Sequence, residues 1–279
     1  MWLRRFVLLA AAQALSACTL LVPVDGLTGS TSANGVDAAS GVDAADGGPA
    51  AESGTTDSGG PAFYAATVLA DSPVAYWRLG ETSGTTVKDV SGRGNDGIAV
   101  ACSPGASGAI LNDPDTAMRF DGLRSSIASV ADLTFAGNVS FSIEAWASPG
   151  GGGAVFQHII NKEKSNQQGY AIYMKPTVAV YFERYLDGTG YEARGPALTP
   201  NKFAHIVGTY DGATLSIYVN GVLGGIAKDT QTTKALATPF HIGAGETANF
   251  FDGVIDEVAV YDKALSPARI LAHYRAAGR

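Results

Sequence analysis

Cysteine is nearly absent: Cys18 and Cys102 are the two in 279 residues, so no more than one intrachain disulfide can brace the fold. Basic charge is also short. Nineteen Lys and Arg stand against 26 Asp and Glu, a formal net charge of −7, which leaves no basic face for phosphate and argues against a nucleic-acid partner. The four histidines, His158, His205, His241 and His273, form no H-E-x-x-H or similar cluster, so zinc has no visible ligand set. No G-x-S-x-G elbow occurs, and acyl transfer therefore has no visible nucleophile. The N-terminal apolar run, Phe6 to Leu15, has about half of the roughly twenty residues that cross a bilayer. A sustained helical period is missing until the last dozen residues.

What is present at the N-terminus is an export pattern. Arg4 and Arg5 precede the short apolar run, which reads as the h-region of a signal. Directly after it, "LSAC" (15–18) resembles the bacterial lipobox, in which a peptidase cuts before the cysteine and the new N-terminal Cys is diacylated. The resemblance implies a signal at residues 1–17, lipid on Cys18, and a membrane partner reached only through that lipid. Two or more acyl chains on one residue anchor stably where a single chain is marginal. An acylated Cys18 leaves Cys102 without a partner; an ordinary secretory signal would leave open a Cys18–Cys102 pair.

Residues 18–62 read as a tether. From Asp25 to Ala62 the chain has no aromatic residue, no Lys or Arg, six carboxylates and a tandem "GVDAAS", "GVDAAD". So little apolar surface cannot offset the entropy of ordering, and a disordered acidic linker is expected. A flexible chain of this length reaches about 35 Å, and like-charge repulsion extends it.

From Phe63 to the end at 279 the composition changes. "VAYWRL", "VSFSIEAW", "YAIYM", "VAVYFERY", "AHIVGTY", "TLSIYV" and "GVIDEVAVY" are rich in β-branched and aromatic residues, as strands are. Asp211-Gly212 and Asn220-Gly221 flank "ATLSIYV" and mark the turns of a three-stranded meander. At the end, "SPARILAHYRAA" offers Ser266 as N-cap, Pro267 at the first helical position, and Ile270, Leu271 and Tyr274 at the spacing of one buried face. The fold class expected is all-β: a two-sheet antiparallel sandwich closed by one short C-terminal helix.

Six blocks carry a family resemblance: "SPVAYWRLGETSGTTVKDVSGRGNDG", "AMRFDG", "VSFSIEAWASP", "LTPNKFAHIVGTYDGATLSIYVNG", "FHIGAG" and "FDGVIDEVAVYDKALSPARILAHY". In that order they resemble the landmarks of the laminin-G-like jellyroll domain of the concanavalin A-like lectin/glucanase superfamily, over about residues 70–276. Phe203 stands where the family usually has Trp. The resemblance implies a jelly roll of two antiparallel sheets.

Three motifs bear on chemistry. Asp256 and Glu257 are adjacent in a strand, so alternation points them to opposite faces; a glycosidic pair must flank one bond on the same side. Superfamily glucanases instead carry acids in an E-x-D-x-x-E pattern, and Val258 and Val260 occupy the matching face here. No catalytic residue is assigned. "GRGNDG" (92–97) fits G-x-G-x-x-G, but "IAVACSPG" follows it and no helix can start there, so it reads as a glycine-rich turn. Asp89 and Asp96 in "DVSGRGNDG" are hard oxygen donors; by resemblance they are candidate ligands of a structural calcium, with an Asx turn as the competing reading.

One segment favours binding. In "TVAVYFERY", Ala179, Tyr181, Glu183 and Tyr185 share a face opposite Val178, Val180 and Phe182. Two tyrosines with a carboxylate between them offer the flat apolar surface and hydrogen-bonding groups that a sugar ring needs; Tyr170, Tyr173 and Tyr191 lie near in sequence. The competing reading is that these tyrosines simply cover the sheet. The expectation is therefore a lipid-anchored, extracytoplasmic module of the cell envelope, not an enzyme, that recognises a carbohydrate or protein ligand through Tyr181, Glu183 and Tyr185. A glycan hydrolase on the same scaffold and a structural envelope lipoprotein are the alternatives.

Overall fold

The structure is a computed structural model that describes residues 61–151, 155–164 and 167–279. The expected signal, Cys18 and the tether as far as residue 60 lie outside the described residues. In chain order the elements are α1 (Pro61–Ala70), β1 (Ala75–Trp77), β2 (Thr86–Val87), β3 (Gly97–Val100), β4 (Ser103–Ser107), β5 (Thr116–Asp121) and β6 (Ser126–Ser129). There follow β7 (Phe141–Pro149), β8 (Gln157–Lys164), β9 (Gln168–Met174), β10 (Ala179–Leu186), β11 (Thr189–Ala197) and β12 (Ala204–Tyr210). The chain ends with β13 (Thr214–Val219), β14 (Val222–Lys228), β15 (Phe240–Ile242), β16 (Asp252–Tyr261) and α2 (Pro267–Ala276).

The strands form two antiparallel sheets. One runs β14-β13-β12-β7-β16-β5-β4, with β1 also on β16; the other runs β11-β10-β9-β8-β15-β6-β3-β2. The expected meander is β12-β13-β14. Its second turn has Asn220 at φ 53° and Gly221 at φ 76°, the left-handed pair that a tight hairpin requires. Between the sheets lies one apolar core that includes Trp77, Phe120, Phe141, Phe182, Phe240 and Ile255. Burying each such large side chain contributes about 1.5–3 kcal/mol. The sheets approach closely where Gly208 of β12 meets the Phe182 ring, since a Cβ there would sit 2.6 Å from it. At one end Arg184 is sealed between the sheets, its guanidinium 3.9 Å from the Tyr210 ring centroid and 2.6 Å from Asp229 Oδ2.

The two sheets differ on their outer faces. β7 is buried at all nine positions because the core covers one side and two helices cover the other. Ser266 caps α2 as its sequence implies, its Oγ accepting from Arg269 N at 3.3 Å. The buried stripe of α2 is Ile270, His273 and Ala276, with Leu271 and Tyr274 only half-buried. The expected stripe is thus rotated, and the reason is His273. A single apolar-spacing argument cannot place a histidine in a core, yet this one has a buried countercharge.

That countercharge is Glu144 of β7, with no exposure to solvent. Its carboxylate accepts from Tyr64 Oη at 3.1 Å and Tyr261 Oη at 2.8 Å. It also meets His205 Nε2 at 2.6 Å and His273 Nδ1 at 3.0 Å. His273 Nε2 then reaches Asp71 Oδ2 at 2.8 Å, an oxygen shared with Arg269 Nε at 2.8 Å. The same centre explains α1, a helix the sequence reading lacks: its buried residues Tyr64 and Val68 pack against Tyr76, Trp146 and Ala259, and Tyr64 is bonded to Glu144.

Burial alone would raise the Glu144 pKa, but His273 and His205 outweigh it and hold the carboxyl well below its ordinary range. Burial would likewise lower the His273 pKa, and Glu144 and Asp71 overcome it, so that the imidazole is raised. The Glu144 contribution is therefore lost as pH falls through its depressed pKa, and the His273 contribution as pH rises through its elevated one. Stability is expected to plateau between these limits. Glu144→Ala is expected to cost about 3–5 kcal/mol in denaturant unfolding, as removal of one partner of a buried pair does, and to flatten the fall in stability on the alkaline side.

Candidate ligand-binding groove

No helix among the described residues covers the outer face of the second sheet. On β10 the alternation sends Val180 and Phe182 into the core and Ala179 and Tyr181 to the outer face, where they join Ala171 and Tyr173 of β9 in a small separate cluster. Register extends this face across the sheet: Glu183 pairs with Ala171 on one side and Glu192 on the other, and Tyr185 with Gly169 and Gly190. On β8 a bulge between His158 and Ile160 sets His158 opposite Tyr173, and Glu163 opposite Gly169. The result is a groove of about 390 Å³ whose walls include Phe156, His158, Glu163, Tyr173, Lys175, Glu183, Tyr185 and Glu192.

The sequence-assigned residues fare differently within it. Glu183 and Tyr185 line the groove. Tyr181 lies beneath it at 8% exposure, stacked on Tyr173 with centroids 5.6 Å apart and covered by the Lys175 ammonium at 4.1 Å. Tyr173, at the groove wall, is likewise nearly covered at 4% exposure, its hydroxyl donating to Glu192. Tyr170 belongs to the core, donating to Leu133 O at 2.7 Å, and Tyr191 pairs with Arg184 on the inward alternation, apart from the groove. Glu163, Glu192 and His158 were not assigned from sequence. Strand pairing brings them in, and a single strand read alone carries no signal of it.

The groove carboxyls are electrostatically uneasy. Burial, then Glu163 and Glu192, push the Glu183 carboxyl up to about 7. Burial, then Glu246, push Glu163 up to about 7. Glu192 is matched by Lys175 at 2.6 Å. His158 is 9% exposed with no hydrogen-bond partner for Nδ1; burial pulls it down to about 4, so the ring is neutral at physiological pH. A second cleft of about 490 Å³ lies between 130–134 and 235–239. Lys162, at its wall, is already committed to the Thr238 carbonyl, and no comparable set of polar groups converges there.

Two other motifs are placed as follows. Glu257 has φ 51° and sits in a bulge between Asp256 and Ala259, which cancels the strict alternation expected of the pair. Both carboxyls now serve one buried region: Asp256 accepts from Ala109 N at 2.8 Å, and Glu257 from Arg78 Nε at 3.0 Å and from the Tyr76 hydroxyl. They are 3% and 1% exposed, so a substrate has no access to them. Burial holds Asp256 well above the carboxylate range, with Glu257 adding to it.

"GRGNDG" forms a turn followed by β3, with Gly92 and Gly94 at positive φ. Its acids do not fit a calcium ion. Asp89 Oδ1 accepts from Tyr76 N and Ser91 N, and Oδ2 from Asn95 N at 2.8 Å. Asp96 accepts from Asp89 N at 3.0 Å and from Lys88 Nζ at 2.6 Å. Among the described residues no three His, Cys, Asp or Glu side chains are grouped to hold a metal. Among the described residues Cys102 is a free, half-buried thiol, pushed up to about 11 chiefly by burial.

A helix-capped sheet packed on an open, grooved one defines a jelly-roll sandwich of the lectin type. Residues 121–271 match the laminin-G-like family model described as the concanavalin A-like lectin/glucanases superfamily, and the chain belongs to that family. Among solved structures it is similar to the binding domain of Paraclostridial Mosquitocidal Protein 1, with TM-score 0.61 and 15% identity over 74% of this chain and 52% of that one. It is also similar to domain 4 of AbnA, a GH43 extracellular arabinanase from Geobacillus stearothermophilus, with TM-score 0.56 and 17% identity over 72% and 98%. The binding domain of botulinum neurotoxin DC gives TM-score 0.57 and 15% identity over 75% and 52%. The chain thus spans about half the length of the two toxin domains. At these identities the likeness is one of fold. No curated protein matches the chain by sequence.

Because the Asp89 and Asp96 oxygens already have donors, calcium or a chelator is expected to move the thermal midpoint by less than about 2 °C, which corresponds to less than roughly 1 kcal/mol for a domain of this size. A calcium-dependent rise of several degrees, abolished in Asp89→Asn, would reassign this loop.

Proposed function

We propose that the domain is a binding module for carbohydrate, displayed outside the cytoplasm by lipid on Cys18 and an acidic tether. The observation that carries the reading is the groove on the uncapped sheet, where the Tyr185 ring stands beside Glu163, Glu183 and Glu192. Aromatic surface with a few convergent polar groups is the composition of sugar sites. Two structural neighbours were captured with such ligands: the arabinanase domain with arabinotriose and the neurotoxin domain with SialylT. These complexes support the reading by analogy of fold, while ligand choice depends on the groove itself.

A second reading has a specific observation behind it. Glu163 and Glu183 enter the same groove with pKa values near 7, where a hydrolase would hold its acid and base. The binding reading is preferred because the face opens as a shallow platform and the structural neighbours are binding domains.

The full chain is expected to bind a subset of arrayed glycans without calcium, and Tyr185→Ala with Glu183→Ala to weaken that binding tenfold or more, about 1.4 kcal/mol, with unchanged unfolding. Undiminished binding in that double variant would discard the groove, and release of new reducing ends from bound oligosaccharide, lost in Glu183→Gln, would favour the hydrolase. Mass spectrometry of the N-terminal peptide is expected to show a diacylated Cys18; an unmodified peptide would end the lipoprotein part.

A further inference from the structure

The cleft between 130–134 and 235–239 shares no residue with the carbohydrate groove. Its volume of about 490 Å³ falls within the roughly 300–1,000 Å³ of small-molecule sites. The walls are mostly apolar, with Val130, Ala131, Leu236, Ala237 and Pro239 among them, and no aromatic ring lines them. Leu236 and Ala131 form buried parts of the wall at 8% and 7% exposure, whereas Val130 is 93% exposed.

One buried charge belongs to this wall. Lys162 on β8 pairs with Tyr170 of β9, whose ring is in the inter-sheet core, so alternation sends Lys162 inward and away from the groove. It is 3% exposed. An ammonium has three N–H donors, and the Thr238 carbonyl accepts one of them. Among the described residues no carboxylate stands within ion-pair distance of it. Burial lowers the Lys162 pKa, and the charge of Asp132 opposes that shift from the exposed loop after β6. A smaller hollow shares Lys162, Thr134 and Leu236 with the cleft and adds Arg184 and Lys234. Arg184 is matched by Asp229, which leaves Lys162 and Lys234 facing Asp132. In a chain of net charge −7 this corner carries a local excess of positive charge.

We propose that the cleft binds a small apolar monocarboxylate, its carboxylate on the Lys162 ammonium and its hydrocarbon body against Ala131, Leu236 and Pro239. A buried charge without a counterion is costly, and an anion beside it removes that cost. The apolar walls call for a hydrocarbon body, since a sugar would leave its hydroxyls without partners there. Asp132 at the rim disfavours a second negative charge, which excludes a phosphate dianion. This site goes beyond the carbohydrate reading and stands or falls independently of it.

The test titrates the full chain with octanoate, octanamide and octylammonium by calorimetry at pH 7.5. Octanoate is expected to bind one to one and at least tenfold tighter than octanamide, with octylammonium weakest. Lys162→Met keeps most of the stem and removes the charge, and it is expected to bring octanoate down to the affinity of octanamide. Val130→Asp sets a carboxylate at an exposed position where packing is not disturbed. It is expected to weaken octanoate at least threefold more than Val130→Asn does. Tyr185→Ala with Glu183→Ala, in the carbohydrate groove, should leave octanoate binding unchanged.

No octanoate binding at millimolar concentration would overturn the proposal, and so would equal affinity for octanoate and octanamide. Undiminished octanoate binding in a folded Lys162→Met variant would move the ligand elsewhere and remove this cleft. Should that variant not fold, the Val130 pair decides, and equal effects of Asp and Asn there would overturn the assignment. Octanoate binding lost in the Tyr185 and Glu183 double variant would place the ligand in the groove and sink the cleft as its site.

Discussion

The whole arrangement depends on one carboxylate that has no contact with water. Glu144 sits in the middle of β7 on the outer face of its sheet, a position where a bare charge would be prohibitively costly. Two histidines and two tyrosines converge on it, and they come from α1, β12, β16 and α2. A single buried charge thus recruits four elements that are far apart in the chain. An apolar residue at 144 could fill the space, but it would not dictate which hydroxyl or imidazole must arrive. The polar centre specifies register and helix docking more than it adds net stability, a trade consistent with the behaviour of buried ion pairs elsewhere.

The capping that Glu144 enforces has a consequence on the opposite side of the molecule. With α1 and α2 committed to one sheet, every helical residue among those described is used there, and no described helix covers the outer face of the second sheet. Its polar residues, Glu163, Glu183, Tyr185 and Glu192 among them, therefore line an open groove. Position and shape of the groove follow from where the helices went.

The sandwich was legible because its signals are local. Asn220-Gly221, the Ser266-Pro267 cap and the alternation along β10 each operate within a few residues, and all three appear in the structure. What was not legible depends on pairing. Helix α1 has just Tyr64 and Val68 to bury, too short a pattern to separate from noise, and it is held by a hydrogen bond to a residue 80 positions away. The alternation rule failed at Glu257, where a bulge adds one residue and brings it to the side of Asp256; nothing in "GVIDEVAVY" announces that insertion. On the binding face, single-strand reasoning found Glu183 and Tyr185 but ranked Tyr181 with them. Tyr181 is instead covered by Lys175, a neighbour determined by the turn after β9.

That covering is informative about how the face works. Tyr173, Tyr181, Lys175 and Glu192 already satisfy one another: ring on ring, ammonium over ring, hydroxyl and ammonium on carboxylate. Such a closed set has little left to offer a ligand except its outer surface, and it acts as a stiff wall whose rotamers are locked. Next to it stand Glu163 and Glu183, both pushed up to about 7 chiefly by burial, with Tyr173 also hydrogen-bonded to Glu183. A folded chain tolerates carboxyls of this kind at a cost in stability, and they concentrate where something else completes them. The division within one sheet face, between a wall of mutually satisfied groups and carboxyls held up by burial, is what separates a binding groove from an ordinary polar surface.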